Sequence, residues 1–157
     1  MFDTKKEGGH VPKWLPIGML IVALVGFADA TYLTIKHYEG AIPPCSVVAG
    51  CESVLTSKYS TFFGVPVALF GALYYVTIGT LMFLYLDSQN HKHLVRGAKG
   101  TAVGALASGW FVYAQLGILD AICLYCMGSA ITSALLFLLG IGVFITLRKE
   151  KAMAKGE

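Results

Sequence analysis

What the chain has least of is charge. Asp, Glu, Lys and Arg make up 13% of its 157 residues, against about 25% in an ordinary soluble domain. The net charge of +3 is too small to argue for a nucleic-acid partner. Internal repeats and low-complexity tracts are lacking, and so are the period-2 strands that a closed membrane barrel needs. In their place stand 56% hydrophobic residues and 18 glycines, with a mean hydropathy of +0.68. That composition excludes a disordered chain, a collagenous fibre and a small disulfide scaffold. It implies an all-α integral membrane protein.

A helix crosses the hydrocarbon core with roughly 20 mostly apolar residues. Four stretches qualify: residues 15–35, whose one charge is Asp29, then 65–86, 101–119 and 121–147. The expectation is a single membrane domain over residues 1–157, a four-transmembrane-helix bundle with an outward loop at 36–64. Little more than Asp120 joins the last two spans, which predicts a tight antiparallel hairpin. Small residues such as Gly26, Gly71, Gly79, Gly104, Gly109, Gly128 and Gly140 would let the helices approach closely.

Short loops rich in Lys and Arg stay in the cytoplasm. Residues 1–13, the connection between spans two and three, and the C-terminal tail hold 10 of the 12 basic residues, leaving Lys36 and Lys58 on the other side. Both termini are therefore expected in the cytoplasm of an inner or plasma membrane, with 36–64 facing out. The lysines before the first apolar run and Ala28-Asp29-Ala30 also fit a cleaved signal peptide. Such peptides usually have an apolar core of about 7–15 residues, and this run continues through Ile35, so an uncleaved span is the better reading.

All four cysteines fall on the outward side or at its membrane edge: Cys45 and Cys51 as C-x5-C in the loop, and Cys123-Leu-Tyr-Cys126 as C-x2-C at the start of span four. An outward compartment is oxidising and lets disulfides persist. A thiol at a helix start is favoured as thiolate, the species that attacks in disulfide exchange. On a helix Cys126 sits about 4.5 Å deeper than Cys123. Cys123 is then placed to exchange with water-side thiols, and Cys126 to meet something dissolved in the bilayer. Three readings stay open: redox exchange, two static disulfides, and a four-cysteine zinc site. Haem attachment fails because Met127 stands where a His is needed.

The outward loop has its own order. Pro43 and Pro44 hold an extended approach to Cys45, and Gly50 permits a turn before Cys51. Val54, Leu55, Tyr59, Phe62 and Phe63 recur at helical spacing. This predicts a short amphipathic surface helix from Glu52 to Phe63, a lid able to bring Cys51 over Cys123.

These residues together resemble the vitamin K epoxide reductase family in its bacterial or archaeal form. The matching elements are Cys45-x5-Cys51, Ser57 six residues on, Gly64-Val-Pro66, Gly71, and Cys123-Leu-Tyr-Cys126, in a four-span frame over about residues 15–147. The resemblance implies a bundle holding a quinone, ubiquinone or menaquinone, as electron acceptor near the C-x2-C pair. It implies that Cys45 and Cys51 take electrons from a thioredoxin-like or DsbA-like partner, and that Cys51 exchanges with Cys123. It further implies that Cys126 attacks the quinone ring and that Ser57 lies near the quinone. A thioredoxin-like domain is fused after the last span in many bacterial members. This chain ends ten residues past Leu147, so a separate partner protein is expected. Val67 and Ala130 stand where the vertebrate enzymes carry Asn and Tyr, so epoxide reduction and anticoagulant binding are not carried over.

The leading expectation is thus a membrane thiol:quinone oxidoreductase that supports disulfide formation. The alternatives are a non-enzymatic four-span protein with a disulfide-braced outer loop, a metal-binding membrane protein, or a quinone epoxide reductase of vitamin K type. Among the remaining polar residues, Asp29 either faces the bundle or is solvated at the interface. Asp120 is expected to cap span four. His37 is given no role.

Overall fold

The computed structural model describes residues 11–44 and 50–155. Helix α1 spans Trp14–Tyr38, α2 Cys51–Leu55, α3 Val67–Ser88, α4 His91–Tyr113 and α5 Leu124–Lys155. Four of these helices, with α4 carried on through a π-helical turn at Ala114–Ile118, are long and apolar enough to cross a membrane. Helix α1 packs mainly on α3 and α4 mainly on α5, and the contacts of α1 with α5 and α3 with α4 close the ring. The core runs down its centre through Met19, Tyr75, Ile78, Met82, Leu94, Leu136 and Val143. Leu24, Leu73, Val103, Leu106 and Leu138 stand exposed on the outside, where lipid would meet them.

Close helix approach depends on particular small residues. A Cβ at Gly26 would overlap the Tyr75 ring, and one at Gly140 would come within 2.6 Å of Thr101 Oγ1. Gly109 and Gly128, expected at such contacts, face open space. Tyr75 joins α3 to α5 by donating its hydroxyl to the Ser129 carbonyl (2.7 Å), with the Thr132 and Ser133 hydroxyls at 2.7 and 3.0 Å.

The helices overrun the apolar runs. Helix α4 begins at His91 rather than near residue 101, because the connection from α3 is only a two-residue turn. Gln89 takes the left-handed conformation, and Asn90 caps α4 by accepting from the Lys92 amide at 3.0 Å. His91–Lys99 then form helix at the membrane edge, where charge is tolerated. Helix α5 continues past residue 147 through the basic tail in the same way.

The loop helix is shorter than expected. It ends at Leu55, because Thr56 and Ser57 turn their hydroxyls onto the Glu52 and Val54 carbonyls, each at 2.7 Å. Such bonds compete with helix propagation. A small hairpin follows, β1 Thr61–Phe62 against β2 Val65–Pro66, turned by Phe63 and Gly64 at positive φ. Phe62 and Phe63 project outward, 60% and 93% exposed, as an aromatic pair at the base of the lid.

Candidate functional site

The hairpin between α4 and α5 shapes the site. Its π-helical turn places Gln115, 2% exposed, beneath the turn. The Gln115 carbonyl accepts from the Ala121 amide at 3.0 Å, and its side-chain Oε1 accepts from the Cys123 amide at 2.9 Å. One residue thus holds the segment 121–123 in place. Asp120, in the left-handed conformation, makes the reversal. It does not cap α5, which starts four residues later.

That cap is Cys123. Its carbonyl accepts the Met127 amide at 2.9 Å, and its sulfur lies 3.4 Å from the Cys126 amide, the position an N-capping side chain takes. Cys123 immediately precedes the fourth membrane-crossing helix, and Cys126 sits in that helix's first turn. Both are free thiols. A hydrogen bond from the Cys126 thiol is the main influence lowering the Cys123 thiol to about 7, and backbone amides add to it. Burial and the charge of Asp29 work the other way. Asp29 itself is half-buried with Oδ2 unpartnered among the described residues, so it faces inward rather than standing solvated.

Cys51 opens α2, is 1% exposed and is disulfide-bonded. It shares one buried cluster with Val54 and Cys123, the latter wholly buried. The lid therefore lies over the C-x2-C segment. A Cβ on Gly50 would fall 2.6 Å from both the amide nitrogen and the carbonyl oxygen of Ile122. Gly50 has an ordinary φ of −101°, so closeness to Ile122, and not a turn, is what requires glycine. Cys45 lies outside the described residues.

On the other side of Cys126 a cavity of about 320 Å³ opens between the helices and the lid. Its wall is mostly apolar, with Val67, Phe70, Gly71, Phe111 and Ala130 around Cys126. Ser57 lines it too, its hydroxyl committed to the Val54 carbonyl. The size and lining suit a flat aromatic ring. Cys51 and Cys123 are not part of this wall. Cys123 is therefore enclosed under the lid, whereas Cys126, which also packs against the lid cluster, reaches the cavity.

Sequence reasoning missed Gln115, Tyr74 and His37, all of which line the cavity. A signal for Gln115 existed, since an amide side chain inside an apolar span needs a partner. Tyr74 and His37 show no pattern that separates them from interfacial residues.

A profile of the vitamin K epoxide reductase family matches residues 17–141, a stretch that holds all four cysteines. The thiol-disulfide oxidoreductase LTO1 of Arabidopsis thaliana is 31% identical over 122 residues, 72% of this chain and 32% of that protein. The chain thus spans about a third of that relative's length. With the family profile covering well over half of its residues around a buried C-x2-C pair, the chain belongs to the vitamin K epoxide reductase family.

Proposed function

We propose that the chain is a membrane thiol:quinone oxidoreductase that supports disulfide formation on the outer side of the membrane. A reduced dithiol on a thioredoxin-like partner gives two electrons to the Cys45/Cys51 disulfide and leaves as a disulfide. The Cys51 thiolate then attacks a Cys123–Cys126 disulfide at Cys123, and Cys126 departs as thiolate. Resolution by Cys45 leaves Cys123 and Cys126 reduced. Their two electrons and two protons pass to a quinone in the cavity, which becomes quinol as the Cys123–Cys126 disulfide re-forms.

The observation that carries this reading is the division of the C-x2-C pair, with Cys123 under the lid beside Cys51 and Cys126 on the cavity wall. A pair of static staples would need no such division. Zinc is disfavoured because Cys51 is disulfide-bonded, and metal ligation needs thiolate. The Lys/Arg asymmetry supports cytoplasmic termini and an outward lid.

The deciding experiment is a single turnover. The purified chain is reduced in detergent or nanodiscs, freed of reductant and mixed with one equivalent of quinone. The expected result is loss of two thiols per quinol formed, with the new disulfide between Cys123 and Cys126. Unchanged thiol content would remove the quinone reading.

A further inference from the structure

Two cavities meet at one end of the bundle. Beside the one that reaches Cys126, a second of about 350 Å³ opens between the end of α1 and the lid. Its rim includes the exposed residues Gly40, Thr56 and Lys58, which lie on the outward side in the orientation proposed above. Leu33, His37, Leu55, Ser57 and Ser60 line both cavities and form the wall between them. Leu33 and Leu55 are apolar, and the two serine hydroxyls donate to the Val54 and Ser57 carbonyls. That leaves His37 as the titratable residue of the shared wall.

His37 is in the last turn of α1 and is exposed. Its ring meets Tyr38 edge-on, with centroids 5.9 Å apart, and its imidazole makes no hydrogen bond among the described residues. The Tyr32 and Tyr125 rings, 5.4 Å apart, set α1 at Tyr32 roughly level with the C-x2-C segment. Five residues on, His37 stands about 7.5 Å nearer the end of α1. The charged groups around it have other neighbours: Lys36 pairs with Glu39 at 2.7 Å, and the Lys58 ammonium lies over the Tyr59 ring. Tyr59, Ser108 and the Gln115 amide could each offer a quinone a hydrogen bond, but they line the inner cavity alone, and Asp29 lines neither. Imidazole is the side chain that readily gains and loses a whole proton near neutral pH.

Quinone reduction creates a need for such a group. Cys123, with its thiol brought down to about 7, has given its proton to the surroundings in much of the reduced chain near neutral pH. The pair then brings two electrons but one proton, and quinol needs two. We infer that His37 delivers the second proton to a quinone oxygen and regains it from the outer cavity. The inference rests on the quinone reading above. In balance, the Cys126 thiol, the Cys123 thiolate, a quinone and the His37 imidazolium give the Cys123–Cys126 disulfide, a quinol and neutral imidazole. One S–S bond and two O–H bonds form. The Cys126 S–H and one imidazolium N–H bond break.

The test uses the purified chain in nanodiscs with Cys123 and Cys126 reduced, mixed in stopped flow with 2-methyl-1,4-naphthoquinone. Quinol formation in His37→Ala should slow about a hundredfold, the scale of general acid catalysis. Imidazole added to the buffer at fixed pH should restore the rate in proportion to its concentration, because the space left opens onto the outer cavity. It should leave the rate of the unaltered chain as it was. His37→Gln keeps the bulk and a hydrogen-bond donor but has no proton to give. It should be as slow as His37→Ala, and it carries the test if the alanine variant does not fold. An unaltered rate in either folded variant overturns the inference. So does a slow His37→Ala that imidazole fails to restore, which would mark a structural role. Both results leave the quinone reading intact. If the unaltered chain forms no quinol, that reading fails and the inference falls with it.

Discussion

Gly50 and Ile122 touch backbone to backbone, so closely that the lid has no room for a single added methyl group over the C-x2-C segment. A Cβ at Gly50 would sit 2.6 Å from two main-chain atoms of Ile122. Neither atom can swing aside as a side-chain tip would. Through this contact, the residue before Cys51 is pressed onto the residue before Cys123.

Gly50→Ala should therefore lift the lid. Overpacking of this kind costs about 1–3 kcal/mol, but most of that is relieved by moving the five-residue α2, so thermal stability should fall only slightly. Exchange between Cys51 and Cys123 depends on their apposition and should slow by tenfold or more. Stopped-flow measurement of thiol transfer, with quinone-driven oxidation of Cys123 and Cys126 as the internal control, would separate the two effects. Unaltered transfer would mean that the contact does not position the cysteines.

The frame of the protein was legible because lipid imposes a simple rule. Uncharged runs near Met19, Ile78 and Leu136 had to become spanning helices. Helix ends were less legible, because they depend on local hydrogen bonds rather than hydropathy. Asn90 capping Lys92 starts α4 well before its apolar run, and Thr56 and Ser57 stop α2 well before Phe63. At the site, the C-x2-C spacing disclosed Cys123 and Cys126 as a pair. The one-turn offset between them already implied a division, Cys123 toward the lid and Cys126 deeper. The local support for it was not readable, since that depends on where a π-helical turn aims Gln115 and how near Gly50 comes to Ile122. Asp120 shows the limit of local reasoning. It lies beside the start of α5, yet the chain uses it to reverse direction and leaves the cap to a cysteine sulfur.

Gln115 should prove a structural hinge pin for the site. Its Oε1 serves the buried Cys123 amide, and leaving such an amide unsatisfied costs about 1–3 kcal/mol. Gln115→Leu should lower thermal stability by that amount and slow exchange at Cys123. Gln115→Glu, which keeps an acceptor oxygen, should recover most of both. Tryptophan fluorescence melting in detergent, together with the thiol-transfer assay, would show whether both losses track the acceptor.

The lowered Cys123 thiol has a pH consequence with a definite sign. A thiol brought down to about 7 becomes thiolate at lower pH than an ordinary cysteine, whose value lies near about 8.5. Titrating the chain with Cys123 and Cys126 reduced should show thiolate ultraviolet absorbance rising with a midpoint near neutrality. Cys126→Ala removes the thiol that donates the stabilising hydrogen bond, so the midpoint should move up. A midpoint that stays put in Cys126→Ala would show that the helix start and its backbone amides act alone.

The order of electron flow makes a trapping prediction. In Cys45→Ala, Cys51 can still attack a Cys123–Cys126 disulfide, but no neighbouring thiol remains to resolve the product. The chain should accumulate a Cys51–Cys123 disulfide with Cys126 as its free thiol, detectable as cross-linked peptides after proteolysis between the lid and α5. That species places Cys126 alone on the cavity wall, where a thiolate against an electron-poor quinone ring should give a charge-transfer absorption band. Cys126→Ala should abolish the band and reduce turnover to background. The bundle should survive, since a buried cysteine behaves as a small apolar residue and truncating it costs about 1 kcal/mol. Turnover that persists in Cys126→Ala would take this thiol out of the reaction. If Cys45→Ala kept Cys123 bonded to Cys126, Cys51 would no longer be the residue that delivers electrons.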